Sequence, residues 1–310
     1  MSESFFLGFD FSPLKLEDRS ALYEFLRHNP QRLTGYTFST LAAWRPFYRY
    51  EWAFAEPGLL LISCCLDPDP HRHLMQPIGK MGSSTALALE ARAAELPYSL
   101  RIIGVTDHFL KENAEFSKPF AVREDRAVSN YVYSADALAN LPGRKYAKKR
   151  NLLSQASSLY SWTCQPLSSA LIDKCNAVLD SIVEEEHPGI EGMLKRELEA
   201  LDCTLQHFDD FGQQGLLISE SDRPVAFSIY EPISPTTVAI HFERALRSYK
   251  GLYQVVNCET AKIIFSNGFQ FINREEDLGD KGLRDAKMSY HPLEVIPAYE
   301  LTLRKQRTPA

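Results

Sequence analysis

The sequence predicts an α+β protein of two successive halves, each a mixed β-sheet covered by helices. Its 310 residues suffice for one large domain or for two of about 150 residues each. Helical and strand periods alternate along the whole chain. The halves give similar series, α-α-β-β-α-β-α-β and then α-α-β-β-β-α-β-α-β, without an obvious residue-level repeat. The composition, 45% hydrophobic and 24% charged, is that of a soluble globular protein. The expected division is 1–142 and 143–310.

Taken in order, Leu22, Phe25 and Leu26 recur at helical spacing behind an acidic first turn, predicting a helix over 16–29. A short helix around 38–44 leads into RYEWAFAEP, whose aromatic alternation reads as a strand, with GLLLISCCL (58–66) as its hairpin partner. A serine cap, good helix formers and a proline stop mark 83–97 as helix. YSLRIIGV (98–105) is a strand, and 119–134 carries one or two more. From about 135 the character changes: a helix, a Leu-Pro-Gly break, then a basic helix containing GRKYAKKRN (143–151). A strand at 160–167 and helices over 168–187 and 189–208 follow. Residues 215–232 read as a hairpin turning at Ser221–Pro224. The series closes with a strand at 236–245, a helix at 251–268 ending in glycine, a strand at 269–272, a helix over GLRDAKMSY and a last strand at 294–303.

No apolar stretch approaches the roughly 20 residues that a bilayer crossing needs, and the N-terminus lacks a positive, signal-like start. The six cysteines show no C-x-x-C pair, so reduced thiols are expected rather than a disulfide or zinc framework. A cytoplasmic protein is expected. The net charge of −6 argues against a surface built for non-specific nucleic-acid binding, yet Arg144, Lys145, Lys148, Lys149 and Arg150 form a local basic patch. That patch reads equally as a solvated helix or as a phosphate or RNA contact. Asp67, Asp69, His71 and His73 could suggest a metal, but prolines at 68 and 70 make the stretch a turn, and no metal site is expected.

The chemistry concentrates near the C-terminus. The apolar run Phe269–Ile272 stops at Asn273 and meets four consecutive charges, Arg274, Glu275, Glu276 and Asp277, followed by Asp280, Lys281, Arg284, Asp285 and Lys287. Ligands in open α/β sheets collect at the carboxyl ends of strands. If 236–243 and 269–272 are parallel neighbours, Glu243 lies beside Asn273–Glu275, and the following helix brings Arg284 and Lys287 onto one face. Strict alternation places His241 and Glu243 on the same strand face, as a candidate base or substrate anchor or as the solvent face of the strand. Tyr253 and Asn257 share a helix face, and a polar amide near the core needs a partner. Lys250-Gly251 opens that helix as a glycine-poor candidate phosphate turn, or as a plain glycine entry.

The runs ALANLPGRKYAKKRN, HFERA, GLYQVVN and FINREEDLGDKGLRDAKMSYHP together resemble the family that shares its domain with the C-terminal part of phosphatidylglycerol lysyltransferase. The resemblance covers about 20–305. It implies two tandem GNAT-like domains, of the acyl-CoA N-acyltransferase type, as in peptidoglycan-bridge aminoacyltransferases. It further implies transfer of an aminoacyl group from aminoacyl-tRNA, with acyl-CoA as the alternative donor, to a small-molecule, peptide or lipid acceptor. Arg284 and Lys287 match the relatives' Arg/Lys motif and would bind the acyl ester or phosphate, while Glu243 and Glu275 would hold an incoming amino group. The expected site lies in the second domain. Glu243, Glu275 and Lys287 are its catalytic candidates, and His241, Tyr253, Asn257, Asn273, Arg274, Asp277, Arg284 and Tyr290 its substrate-binding ones. Lys145, Lys148, Lys149 and Arg150 would face tRNA or a phosphate. A non-catalytic protein of the same fold that binds a small amino compound or nucleotide is the rival reading.

Overall fold

The computed structural model describes residues 4–186 and 193–305. The start of the helix expected over 189–208, and His187 before it, lie outside the described residues. The chain divides into two compact units, one running to Asn130 and resuming at Ile296, the other Tyr131–Val295. The sequence put a single cut at 142/143. The difference has two causes in strand pairing. Asn130–Ser134, read with the first half, pairs antiparallel with Phe271–Asn273 in the second. The stretch read as one last strand is broken at Pro297 into Glu294–Ile296 and Tyr299–Leu303, and the latter pairs with Arg101–Val105 and Phe120–Glu124.

In the first unit the sheet runs, in spatial order, Ser12–Pro13, Glu51–Glu56, Leu59–Leu66, Asp69–Met75, Arg101–Val105, Tyr299–Leu303 and Phe120–Glu124. One neighbouring pair, Asp69–Met75 with Arg101–Val105, is parallel, and helix Ser83–Ala94 lies between them in sequence. Leu59, Leu61, Leu74, Leu89, Ile102, Phe120 and Leu301 are in its core. Asp69 accepts from both His71 and His73, so the acidic-histidine stretch closes on itself.

The second unit follows the same plan. Its elements are β1 (Asn130–Ser134), α1 (Ala135–Asn140), α2 (Ala147–Leu159), β2 (Trp162–Pro166), α3 (Ile172–Glu186), α4 (Met193–Gln206), β3 (Gln214–Glu220), β4 (Arg223–Pro232), β5 (Thr237–Ala245), α5 (Leu252–Ser266), β6 (Phe271–Asn273), α6 (Lys281–Met288) and β7 (Glu294–Ile296). The sheet order is β2-β3-β4-β5-β6-β1-β7. The pair β5 and β6 is parallel, as expected from the sequence, with α5 as the crossover. Residues Val255, Val256, Ala261 and Ile264 bury α5 against the sheet. The helix stops in a Schellman motif: Gly268 takes φ +88°, Phe269 N–H donates to Ile264 O, and Gly268 N–H donates to Phe265 O. That stop delivers the chain directly into β6.

Register between β5 and β6 ends at Ala239 opposite Asn273. Beyond it β5 continues to Ala245 without β6, so the two strands part at their carboxyl ends.

Candidate functional site

Where β6 ends, its last side chain turns the chain. Asn273 Oδ1 accepts from Glu275 N–H at 2.8 Å, and Glu275 adopts φ +58°. Arg274 N–H still donates to Tyr131 O at 2.9 Å, which keeps the first charged residue in ladder register with β1. Asp277 is fully buried. It takes a bidentate pair from Arg284 (2.7 and 2.9 Å), the Tyr131 hydroxyl at 2.5 Å and Gly279 N–H at 2.9 Å. Burial opposes its ionisation, but these donors win and hold its carboxyl well below the usual range. Lys287 reaches from α6 and donates to Arg274 O and Glu276 O, both at 2.5 Å. Burial first, and then Arg274, push that ammonium down to about 8. Residues 273–287 therefore form a loop tied from inside by Asp277 and Lys287.

The loop's first two charges go to opposite faces of the sheet. On the α5 side, Arg274 Nη2 lies 3.0 Å from Glu243 Oε1, and Asn257 Nδ2 donates to Glu243 Oε2 at 3.4 Å. Arg274 also stands 5.3 Å from the Tyr290 ring centre, and Lys149 sits 4.0 Å from the same centre. On the other face, His241 Nδ1 meets Glu275 Oε1 at 2.7 Å and Nε2 meets Glu231 Oε1 at 2.8 Å. Carboxylates only accept, so an imidazole held by two of them carries both protons. Burial disfavours that charge, yet Glu275 and Glu231 outweigh it and push His241 up to about 10. Glu276 is pushed up to about 7 by burial and by Glu275.

This arrangement corrects the placement of His241 and Glu243 on one face. The β4–β5 register shifts by one residue, with Ile229 opposite Phe242 and Tyr230 opposite Ile240. His241 is the extra residue of a β-bulge. Glu243 consequently faces α5 with Ile240, while His241 turns to the side of Glu231.

The remaining expected residues fall as follows. Tyr253 is half-buried on α5, one turn before Asn257. Arg150 donates to Leu141 O and Gly143 O at 2.5 and 2.6 Å, which ties the end of α1 to α2. Lys145 and Lys148 are exposed, and Lys149 alone of the basic patch touches the loop's aromatic neighbour. Glu231 is the principal residue that sequence reasoning missed. Its only signal is an acidic residue ending an otherwise apolar strand, SIYEP. The turn before α5 is filled from within, since Glu185 accepts from Arg247 N–H at 2.8 Å and Ser248 N–H at 3.2 Å. Tyr160 accepts from Lys250 N–H at 3.3 Å. Among the described residues no helix is long and apolar enough to cross a membrane.

Residues 27–302 match the family model described as phosphatidylglycerol lysyltransferase, C-terminal. A conserved protein of unknown function from Bacteroides thetaiotaomicron is 27% identical at TM-score 0.87, over 96% of this chain and 100% of that one. L-PGS from Bacillus licheniformis matches at TM-score 0.65 and 15% identity, covering 94% and 93% of the two chains. A tandem GNAT protein from the clavulanic acid biosynthesis pathway matches at TM-score 0.51 and 10% identity, over 96% and 99%. No curated protein matches. The fold is thus the α+β, tandem GNAT-like one.

Proposed function

Because the chain belongs to the phosphatidylglycerol lysyltransferase C-terminal family, we propose that it is an aminoacyltransferase that takes its aminoacyl group from aminoacyl-tRNA, with its site at the strand ends of the second unit. The observation that carries this reading is the pair of buried, cross-paired charge clusters where β5 and β6 part. Opposite charges taken out of water are costly to retain for stability alone. At a site they fix local fields before a substrate arrives.

Transfer requires an acceptor hydroxyl or amine to attack the ester carbonyl, loss of the acceptor's proton, and stabilisation of the oxyanion that forms. That oxyanion then collapses with cleavage of the ester C–O bond, the tRNA ribose oxygen leaving and taking up that proton. The proton would pass to a carboxylate of the loop, where burial and Glu275 push Glu276 up to about 7. Glu243, Glu275 and Lys287 are already engaged by Arg274, His241 and the loop carbonyls, so positioning the loop is the role that suits them. Lys145 and Lys148 are placed on the outside for more distant tRNA phosphates. Acyl-CoA is the alternative donor; in the turn before α5 the backbone N–H groups of Arg247 and Ser248 are already taken by the Glu185 carboxylate, which leaves fewer donors there for a diphosphate. The acceptor is a hydroxyl or amine of a small molecule, peptide or lipid.

The test is transfer of radiolabelled amino acid from a mixed pool of charged tRNA to a cell extract fractionated into lipid, peptide and small-molecule acceptors, with labelled acetyl-CoA in parallel. Label appearing in one acceptor fraction, with hydrolysis-corrected loss from tRNA, supports the reading. Transfer from acetyl-CoA alone makes the protein an acetyltransferase. Saturable binding of an amino compound with no transfer from either donor makes it a binding protein.

A further inference from the structure

The two large sheets have four edge strands, and three of them are guarded against further pairing. Ser12–Pro13 is two residues long and ends in proline. At the far edge of the second unit, β7 is three residues long and Pro297 follows it. Phe120–Glu124 carries Arg123 and Glu124. Brevity, proline and charge are the devices that stop an exposed edge from recruiting a further strand. The fourth edge, β2, has five residues and no charge, and only its last is proline. Thr163, Cys164, Gln165 and Pro166 are all exposed. The neutrality extends beyond the strand. Residues 151–172 contain no Asp, Glu, Lys, Arg or His, in a chain of which 24% is charged. Ser157, Ser158, Leu159 and Ser161 of that run are exposed as well, Leu159 by 60%. Depletion of charge is what separates the centre of a protein interface from ordinary surface.

Pairing with β3 fixes which backbone groups of β2 are open. Leu167 N–H donates to Gly215 O, and the same register sets Gln165 opposite Leu217 and Thr163 opposite Ser219. Alternate residues of an antiparallel ladder turn their backbone groups to the same neighbour. Thr163, Gln165 and Leu167 therefore serve β3, and Trp162, Cys164 and Pro166 turn theirs outward. Those outward groups have no protein partner among the described residues. We propose that β2 is the contact strand of a symmetric dimer, pairing antiparallel with β2 of a second copy about a two-fold axis at Cys164. In that alignment Cys164 and the partner's Cys164 exchange two hydrogen bonds, and each Trp162 N–H donates to the partner's Pro166 O. Pro166, which has no N–H to offer, falls at the end of the paired segment, where its missing donor costs least. A second copy suits the strand because an antiparallel pair about a two-fold sets the central residue against itself, and a charge there would repel its own image. An uncharged β2 meets no such repulsion, and it offers no charge by which a differently charged strand would be selected. An isologous two-fold is also the commonest way for identical chains to close. The contact is confined to an edge, so the dimer is concentration-dependent with a dissociation constant in the micromolar range. It does not depend on which donor the second unit uses.

Sedimentation velocity of the full chain from about 1 to about 200 µM should show monomer giving way to dimer. The alignment is read by cross-linking. Across a hydrogen-bonded pair the two Cα atoms lie about 5.5 Å apart, within disulfide reach. Cys164 is exposed, Cys203 is half-buried and the other four cysteines are buried. Copper–phenanthroline, the oxidant that takes the two thiol hydrogens, should yield a covalent dimer joined Cys164 to Cys164, identified by peptide mass spectrometry. Cys164→Ser should associate as the parent does and give no cross-link. Cys164→Lys sets two ammonium groups against each other at the axis and should raise the dissociation constant at least about tenfold. Cys164→Pro removes the outward N–H and should do the same. Thermal unfolding checks the fold of each variant, and Cys164→Lys, a change at an exposed position, decides alone if the proline variant does not fold. A parent that stays monomeric across the range overturns the second copy as occupant and leaves the edge to a strand of a different protein. A dimer that survives Cys164→Lys lies on another surface and overturns β2 as the contact. A dimer weakened by Cys164→Lys but cross-linked through another cysteine, or not at all, overturns the alignment at Cys164.

Discussion

Lys287 holds its ammonium in two main-chain carbonyls, Arg274 O and Glu276 O, and is buried. Replacing it with methionine keeps much of the volume but removes the donor that both oxygens share. Lys287→Met is therefore expected to lose about 3 kcal/mol of stability, measured as a lower urea midpoint with unchanged slope. An unaltered midpoint would show that the loop does not depend on this contact. His241 gives a prediction in pH. Its folded affinity for a proton, about 10, exceeds the unfolded value near 6.5. The folded state thus holds the extra proton between those values, and the His241 contribution is complete below about 6.5 and is lost as pH rises toward 10. The stability gap between the parent and His241→Gln should be constant at low pH and shrink across that window. Both imidazole N–H signals should persist at pH 8 in the parent's NMR spectrum. At this scale the sequence made the members of the charged cluster visible, because so many charges directly after an apolar strand are conspicuous. It did not make the partners visible. Glu231 lies ten residues before His241 on another strand, and nothing in SIYEP marks its carboxylate as buried.

Elements decide which way those side chains point. One inserted residue in β5 sends His241 and Glu243 to opposite faces, and a bulge has no reliable signature in a sequence of alternating apolar and polar residues. The crossover helix was more legible, since the Schellman stop at Gly268 and the start at Gly251 both use glycine where the backbone requires it. Gly251 takes φ +82°, and a Cβ there would lie 2.7 Å from Leu152 O on α2. The glycine read as a plain entry to a helix is thus also the point of close approach between α2 and α5. Gly251→Ala combines a left-handed backbone with a backbone clash, so a loss of about 2 kcal/mol or more is expected. Differential scanning calorimetry checks it. A variant as stable as the parent would mean that α2 and α5 move apart at little cost.

Over the whole molecule, the order of helices and strands was legible because their periods are strong, and the allocation of strands to sheets was not. Two strands are exchanged relative to the linear reading: Asn130–Ser134 joins the second unit's sheet, and Tyr299–Leu303 returns to the first. Pairing partners so distant in sequence leave no local trace, and Pro297 was the one available sign that 294–303 is two strands. The returning strand is central, with Arg101–Val105 on one side and Phe120–Glu124 on the other, and Leu301 is in the first unit's core. Ending the chain after Ile296 would remove it, leave two inner edges unpaired and expose the apolar face around Ile102 and Phe120. The truncated protein is expected to lose amide protection in Arg101–Val105 and Phe120–Glu124 while β3, β4 and β5 keep theirs, as read by hydrogen exchange with mass spectrometry. The candidate site residues lie on the second unit, so the paired charges around Arg274 and His241 should keep their arrangement wherever that sheet stays protected. Loss of protection spread evenly over both sheets would instead mean that the chain unfolds as one cooperative body and that the returning strand secures the site as well as its own sheet.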